Sequence, residues 1–126
     1  MEKPELRLLS GRLSVCRLSP QEEIPDWAMR GGFYSITRTK DEISVVCDEA
    51  SVPDGVTCSM GYTALMVQGP LDFSLVGILS SISAVLAEAG LSIFALSTYD
   101  TDYILIRESD SAAAAQALAK AGYIVR

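Results

Sequence analysis

The sequence predicts an α+β fold in which helices cover an antiparallel sheet, and three observations lead there. Apolar residues Leu75, Ile78, Leu79, Ile82, Val85 and Leu86 recur at helical spacing. The runs on either side are short and alternating or β-branched, and glycine or proline turns separate them. Read in order, the second half of the chain gives β-α-β-β-α-β, the ferredoxin-like order. The first half reads as a shortened copy of the same plan.

Leu6–Leu9 ends at Ser10-Gly11 and precedes the period-two run Leu13–Leu18, so these segments are expected to form a hairpin. Ser19-Pro20 stops the strand, and Ile24–Met29 holds one or two helical turns with Pro25 at their start. Phe33–Thr39 and Ile43–Cys47 flank Lys40-Asp41-Glu42 as a second hairpin, and Pro53-Asp54-Gly55 marks a loop. Tyr62–Val67 is the next strand, closed by Gly69-Pro70. The long helix follows, with Asp72 or Ser74 as its N-cap, Gly77 inside it and Gly90 in a left-handed position beyond its end. Ser92–Ser97 and Tyr103–Arg107 form another hairpin, Ala112–Ala121 a second helix capped by Asp110 or Ser111, and Tyr123-Ile124-Val125 a last strand.

The two hairpins also match, with Ser35–Ile43 parallel to Ala95–Tyr103, so that Thr39 falls on Tyr99. The first-half helix is shorter and its second helix is vestigial near Glu49–Val52, which implies a degenerate N-terminal lobe over 1–60 and a full domain over 61–126. Neither half alone buries much core.

Composition narrows the function. The 126 residues carry 10 Lys and Arg against 16 Asp and Glu, a net charge of −6 with no basic run, so nucleic acid is an unfavourable partner. Histidine is absent, which removes the commonest general base and the commonest zinc ligand. No catalytic residues, no cofactor and no metal are expected. Cys16, Cys47 and Cys58 are far apart in sequence and read as small buried hydrophobes in a reducing cytoplasm. The start of the chain does not resemble a signal peptide, and the best apolar run is broken by Gly77, Ser80, Ser81 and Ser83, so no membrane association is expected.

Two segments carry candidate chemistry. Gly69-Pro70-Leu71-Asp72-Phe73-Ser74 is a glycine turn running into a helix N-terminus, where free amides and the helix dipole favour an anion. It reads equally as a strand-to-helix turn with Asp72 as cap. Ser97–Asp102 is a polar hairpin tip whose hydroxyls and carboxylates suit an ammonium group, with the ring of Tyr99 as a face for a cation or an apolar group. From these residues alone it reads more simply as a solvated turn bonded to its own backbone, the ordinary meaning of a polar turn. A magnesium site at Asp100 and Asp102 rests on two alternating carboxylates alone, too common a pattern to count. Trp27 reads as a core anchor and Ala112–Ala115 as a helix face lying close on its sheet.

The segments Leu13–Leu18, Ile24–Trp27, Phe33–Thr39, Glu42–Cys47, Gly69–Phe73 and Ser97–Tyr103 resemble, in this order, the small bacterial tandem ACT-domain proteins. The same pattern extends to the ACT domains of aspartate kinases and to the arginine sensor CASTOR. The resemblance implies a ligand-binding regulatory fold, an amino acid as ligand, and a homodimer or a regulated protein as partner. It maps the ligand turn onto Gly69, Pro70, Leu71, Asp72, Phe73 and Ser74, and side-chain recognition onto Thr98, Tyr99 and Asp102. The chain departs from the four-lobed sensor in having two lobes and a truncated first helix. A structural module that dimerises over a vestigial pocket is the alternative expectation.

Overall fold

In the computed structural model, residues 3–69 and 76–126 are described. The elements are β1 (Leu6–Leu8), β2 (Leu13–Leu18), a 3-10 turn (Asp26–Met29), β3 (Ser35–Arg38), β4 (Ile43–Asp48), a 3-10 turn (Glu49–Ser51), β5 (Thr57–Val67), α1 (Ile78–Glu88), β6 (Ile93–Ser97), β7 (Asp102–Arg107), a 3-10 turn (Glu108–Asp110) and α2 (Ser111–Lys120). They fall into two compact units, Gly11–Tyr62, and Met1–Ser10 with Thr63–Arg126.

In the Gly11–Tyr62 unit the strand order is β3-β4-β2-β5. β2 pairs antiparallel with β4, Leu13 facing Asp48 and Leu18 facing Ile43, and with β5, Arg17 facing Thr57. Alternation along β2 and β4 turns Cys16, Ile43, Val45 and Cys47 to one face, where Ala28 and the half-buried Leu18, Ile24, Trp27, Val56 and Cys58 complete a core. The expected first helix is a single 3-10 turn entered through Pro25, and the vestigial second one is the turn Glu49–Ser51.

β5 is the longest strand, and the sequence reading found only its second half. Leu13 faces Tyr62 while Val15 faces Ser59, so two steps on β2 meet three on β5. The extra residue is a bulge, and Gly61 at φ +83° supplies the left-handed backbone it needs.

In the other unit β5, β7 and β6 are neighbours, and β1 pairs antiparallel with β5 on the remaining side, Leu6 facing Val67 and Leu8 facing Leu65. The expected β1–β2 hairpin does not form, because β1 and β2 each pair with β5, β1 with Leu65–Val67 and β2 with Thr57–Tyr62. The free edge of β1 takes the end of the chain: a parallel bridge joins Leu6 to Val125, and Arg126 N–H donates to Leu6 O at 2.8 Å. A ferredoxin-like order would place the last strand directly against the first, here β5. β1 is inserted between them.

α1 and α2 turn Ile82, Leu86, Ala114 and Leu118 onto Leu65, Val67, Ile104 and Ile106, and Leu6 lies in the same core. Gly77 is not inside the helix, contrary to the sequence reading; it is the N-cap at φ +81°, and a Cβ there would meet nothing within 4 Å. The proposed caps Asp72 and Ser74 lie outside the described residues. Both helices end as glycine permits: Leu91 N–H donates to Leu86 O and Tyr123 N–H to Leu118 O, with Gly90 and Gly122 left-handed between them.

Leu6 is only six residues into the chain yet fully buried. Leu6→Ala is expected to destabilise the protein by about 2–5 kcal/mol, as for a central core leucine. Urea unfolding measures it, and a cost below about 0.5 kcal/mol, as for an exposed site, would mean that β1 is peripheral.

Candidate functional site

The candidate turn begins where β5 ends. Gln68 N–H donates to Glu5 O at 2.8 Å, which ties the first step beyond the strand to the residue before β1, and Gly69 follows half-buried. Pro70, Leu71, Asp72, Phe73 and Ser74 lie outside the described residues. The chain then enters α1 through Gly77, whose carbonyl accepts from Ser81 N–H at 2.8 Å and which, as the N-cap residue, has no side chain to cap the first turn. The leading amides of α1 carry the positive end of the helix dipole.

The β6–β7 hairpin closes through Thr98 N–H donating to Thr101 O at 2.8 Å. Thr98 Oγ1 also donates to Thr101 O at 3.1 Å and accepts from Thr101 N–H at 3.3 Å, so this hydroxyl is engaged in holding the turn. Thr39 plays the same part in the other unit, accepting from Asp41 and Glu42 N–H at 3.1 and 3.2 Å. The hairpins therefore correspond with Thr39 on Thr98, one residue away from the match read in the sequence, because the backbone bonds of the turn set the equivalence.

Thr101 is the residue that sequence reasoning missed. It is buried, and its Oγ1 donates to Val67 O at 2.5 Å, across 34 residues. That bond brings the hairpin tip against the end of β5, two residues before Gly69. Its signal was the period-two pattern of β7, which carried back from Leu105 through Tyr103 puts Thr101 on the same face. Tyr99 stands at the apex, 81% exposed. Asp102 is not in the tip but is the first residue of β7, opposite Ser97, whose hydroxyl donates to Asp102 Oδ1 at 2.6 Å. Among the described residues no three His, Cys, Asp or Glu side chains are grouped to hold a metal ion, and no helix is long and apolar enough to cross a membrane.

The cysteines come together although the sequence separates them. Cys16 faces Cys58 across β2 and β5, and Cys47 belongs to the same core. All three are free thiols, Cys16 and Cys47 buried and Cys58 half-buried. Burial pushes the Cys16 thiol above its ordinary value. Burial, and then the neighbouring Cys16, pushes Cys47 up to about 11. Both therefore stay protonated and serve as apolar filling.

The sequence model of the ACT domain matches residues 58–120, half of the chain, and a second model, described as an N-terminal domain, matches residues 11–55. Among curated proteins the chain is 28% identical over 107 residues to the rat cytosolic arginine sensor for mTORC1 subunit 1, covering 75% of this chain and 31% of the sensor. It is 33% identical over 91 residues to human CASTOR3P, covering 62% of this chain and 56% of that protein. The chain thus spans from just under a third to just over half of these relatives' length. A solved protein of Agrobacterium tumefaciens superposes with TM-score 0.94 at 40% identity, covering 100% of this chain and 94% of that one. The ligand-free regulatory subunit of aspartate kinase from Thermus thermophilus superposes with TM-score 0.64 at 12% identity, over 96% and 99% of the two chains, a likeness of fold.

Thr101→Val keeps the shape of the side chain but removes its bond to the Val67 carbonyl, which is expected to cost about 1–3 kcal/mol, whereas Thr101→Ser restores most of the loss. Thermal unfolding of the two variants reads the difference; equal stabilities would mean that the bond is not formed.

Alkaline unfolding tests the thiols. Cys47 keeps its proton up to about 11 in the fold against 9.0 ordinarily. The unfolded chain therefore releases this proton first, and the stabilising contribution is complete below 9.0 and is lost as pH rises towards about 11. Over that window stability should fall less steeply in Cys47→Ala than in the parent. Parallel curves would place Cys47 in a polar setting.

Proposed function

The chain belongs to the ACT-domain family, and from that premise we propose that it is a non-catalytic regulatory module that binds a small ligand, an amino acid, where the β5–α1 connection meets the β6–β7 hairpin. Residues 61–126 are the ligand-bearing domain in this reading, with β1 lent to it by the start of the chain. The ligand carboxylate meets backbone amides within Gly69–Ser74, where glycine permits close approach and the helix dipole favours negative charge. Its ammonium group or basic side chain meets Asp72 or Asp102 by a charge-assisted hydrogen bond, and Thr98 and Tyr99 line the remaining side.

The observation that carries this reading is the bond from Thr101 Oγ1 to Val67 O, since it holds the hairpin against the strand end from which the glycine turn departs. The curated relatives named as arginine sensors support a ligand of this class. Binding there would favour one arrangement of the turn and hairpin and so bias a homodimer or a protein partner, the ordinary route by which a ligand site regulates without chemistry. A cytoplasmic setting goes with the same reading.

A second reading draws on a separate observation. The Thr98 hydroxyl is already used within its turn, and Asp102 Oδ1 already accepts from Ser97. A hairpin so satisfied also suits an interaction module whose pocket is vestigial.

A thermal-shift screen against the twenty amino acids separates the two. A ligand at about one hundred times its Kd stabilises the fold by about 2.7 kcal/mol. The ligand reading expects a shift with one amino acid or one chemical group of them, lost in Asp102→Ala while the unliganded melting temperature stays near that of the parent. No shift with any of the twenty would favour the interaction module.

A further inference from the structure

The Gly11–Tyr62 unit carries a cleft of its own. Its volume is about 320 Å³, and Leu18, Glu22, Glu23, Pro25, Trp27 and Val56 line it. It is built at the end of the β2–β5 pair: the register that sets Arg17 opposite Thr57 brings Leu18 and Val56 side by side one step further on. Trp27 and Pro25, from the 3-10 turn, supply an aromatic face and a rigid edge. Glu22 and Glu23 supply the charge.

The acidic segment is held in place by its backbone. Glu22 N–H donates to Ser19 O at 3.1 Å, and Ser19 N–H donates to Glu22 Oε2 at 3.2 Å. The Arg38 guanidinium, the nearby cation, donates to the carbonyls of Pro20 and Glu22 at 2.7 and 3.1 Å, so its hydrogen bonds go to the backbone and not to the carboxylates. The Glu23 carboxylate has no hydrogen-bond or ion-pair partner among the described residues.

Two glutamates and a tryptophan lining one cleft with aliphatic walls are complementary to a cation at the end of an apolar stem. None of the six lining residues has a side chain that donates a hydrogen bond to an anion except the Trp27 indole N–H, so a free amino acid would bring a carboxylate with little to meet it. We propose that this cleft is a docking site for an arginine or lysine side chain presented by a partner polypeptide, in which the α-carboxylate is absent. The site is independent of the ligand reading above. It also gives the degenerate unit a role in recognition, at the connection after β2 that corresponds in the internal repeat to the one after β5.

Trp27 is the single tryptophan of the chain, so its fluorescence reports on this cleft directly. Nα-acetyl-arginine amide and Nα-acetyl-lysine amide are titrated against the full chain, beside the neutral Nα-acetyl-citrulline amide and free arginine. The expected result is a saturable change with at least one of the two cationic amides, weaker with free arginine, absent with the citrulline amide and reduced by added salt. Glu22→Gln with Glu23→Gln, exposed positions whose replacement leaves the melting temperature close to the parent's, should weaken binding about tenfold. The site is overturned by no saturable change with either cationic amide, by an equal change with citrulline amide, or by a response indifferent to the double substitution. Tighter binding of free arginine than of the blocked amide overturns the assignment to a polypeptide. The amino-acid shift is checked by its loss in Asp102→Ala and the cleft by the loss of its signal in the Glu22→Gln and Glu23→Gln variant, so either proposal can fail without the other.

Discussion

The C-terminal part of this molecule depends on a three-residue strand having a partner on each side. Along β1, Leu6 N–H donates to Ile124 O, Leu8 N–H to Arg126 O, and the other edge pairs with Leu65–Val67 of β5. A strand so short gains little from its own hydrogen bonds in water, and each bond contributes only about 1 kcal/mol net. Its hold comes from placing both rows of backbone groups and the Leu6 side chain out of solvent together. The candidate site inherits its starting point from this arrangement, because Gln68 N–H, the first amide beyond β5, is taken by Glu5 O. The glycine turn therefore leaves from a fixed place.

Much of the fold was legible because its signals are local. The helical period of Ile78, Leu79, Ile82, Val85 and Leu86, the alternation of Leu13–Leu18 and the glycines that end both helices each act within a few residues. What was not legible is non-local. The partner of β1 lies about sixty residues away, and nothing in Leu6-Arg7-Leu8 distinguishes pairing with β5 from pairing with the next strand. Gly77 illustrates a different loss: a glycine one position before a helix and a glycine inside it leave the same apolar spacing behind them, and only the backbone angle tells them apart.

The candidate site was legible in outline. The polar hairpin was singled out for its hydroxyls and acids, yet the hydroxyl that joins it to β5 is Thr101, because burial reverses the usual ranking of a turn residue. Asp102 was read as part of the loop and is the first residue of a strand, paired with Ser97. The cysteines show the same limit, since Cys16 and Cys58 are neighbours only through strand register. In each case the residue type was visible and its neighbour was not.

The two units differ in how far along the chain their contacts reach. Gly11–Tyr62 is continuous, so its contacts close within one unbroken stretch of chain. β1 is synthesised first, but Leu6 bridges Val125, 119 positions later. Contacts of such long separation are slow to form, and they have to follow the local hairpins. During synthesis Leu6 and Leu8 remain without these backbone partners until residues 124–126 have been made. A nascent chain stalled before Ile124 would display Leu6, buried in the finished fold, to whatever chaperone binds short exposed apolar stretches.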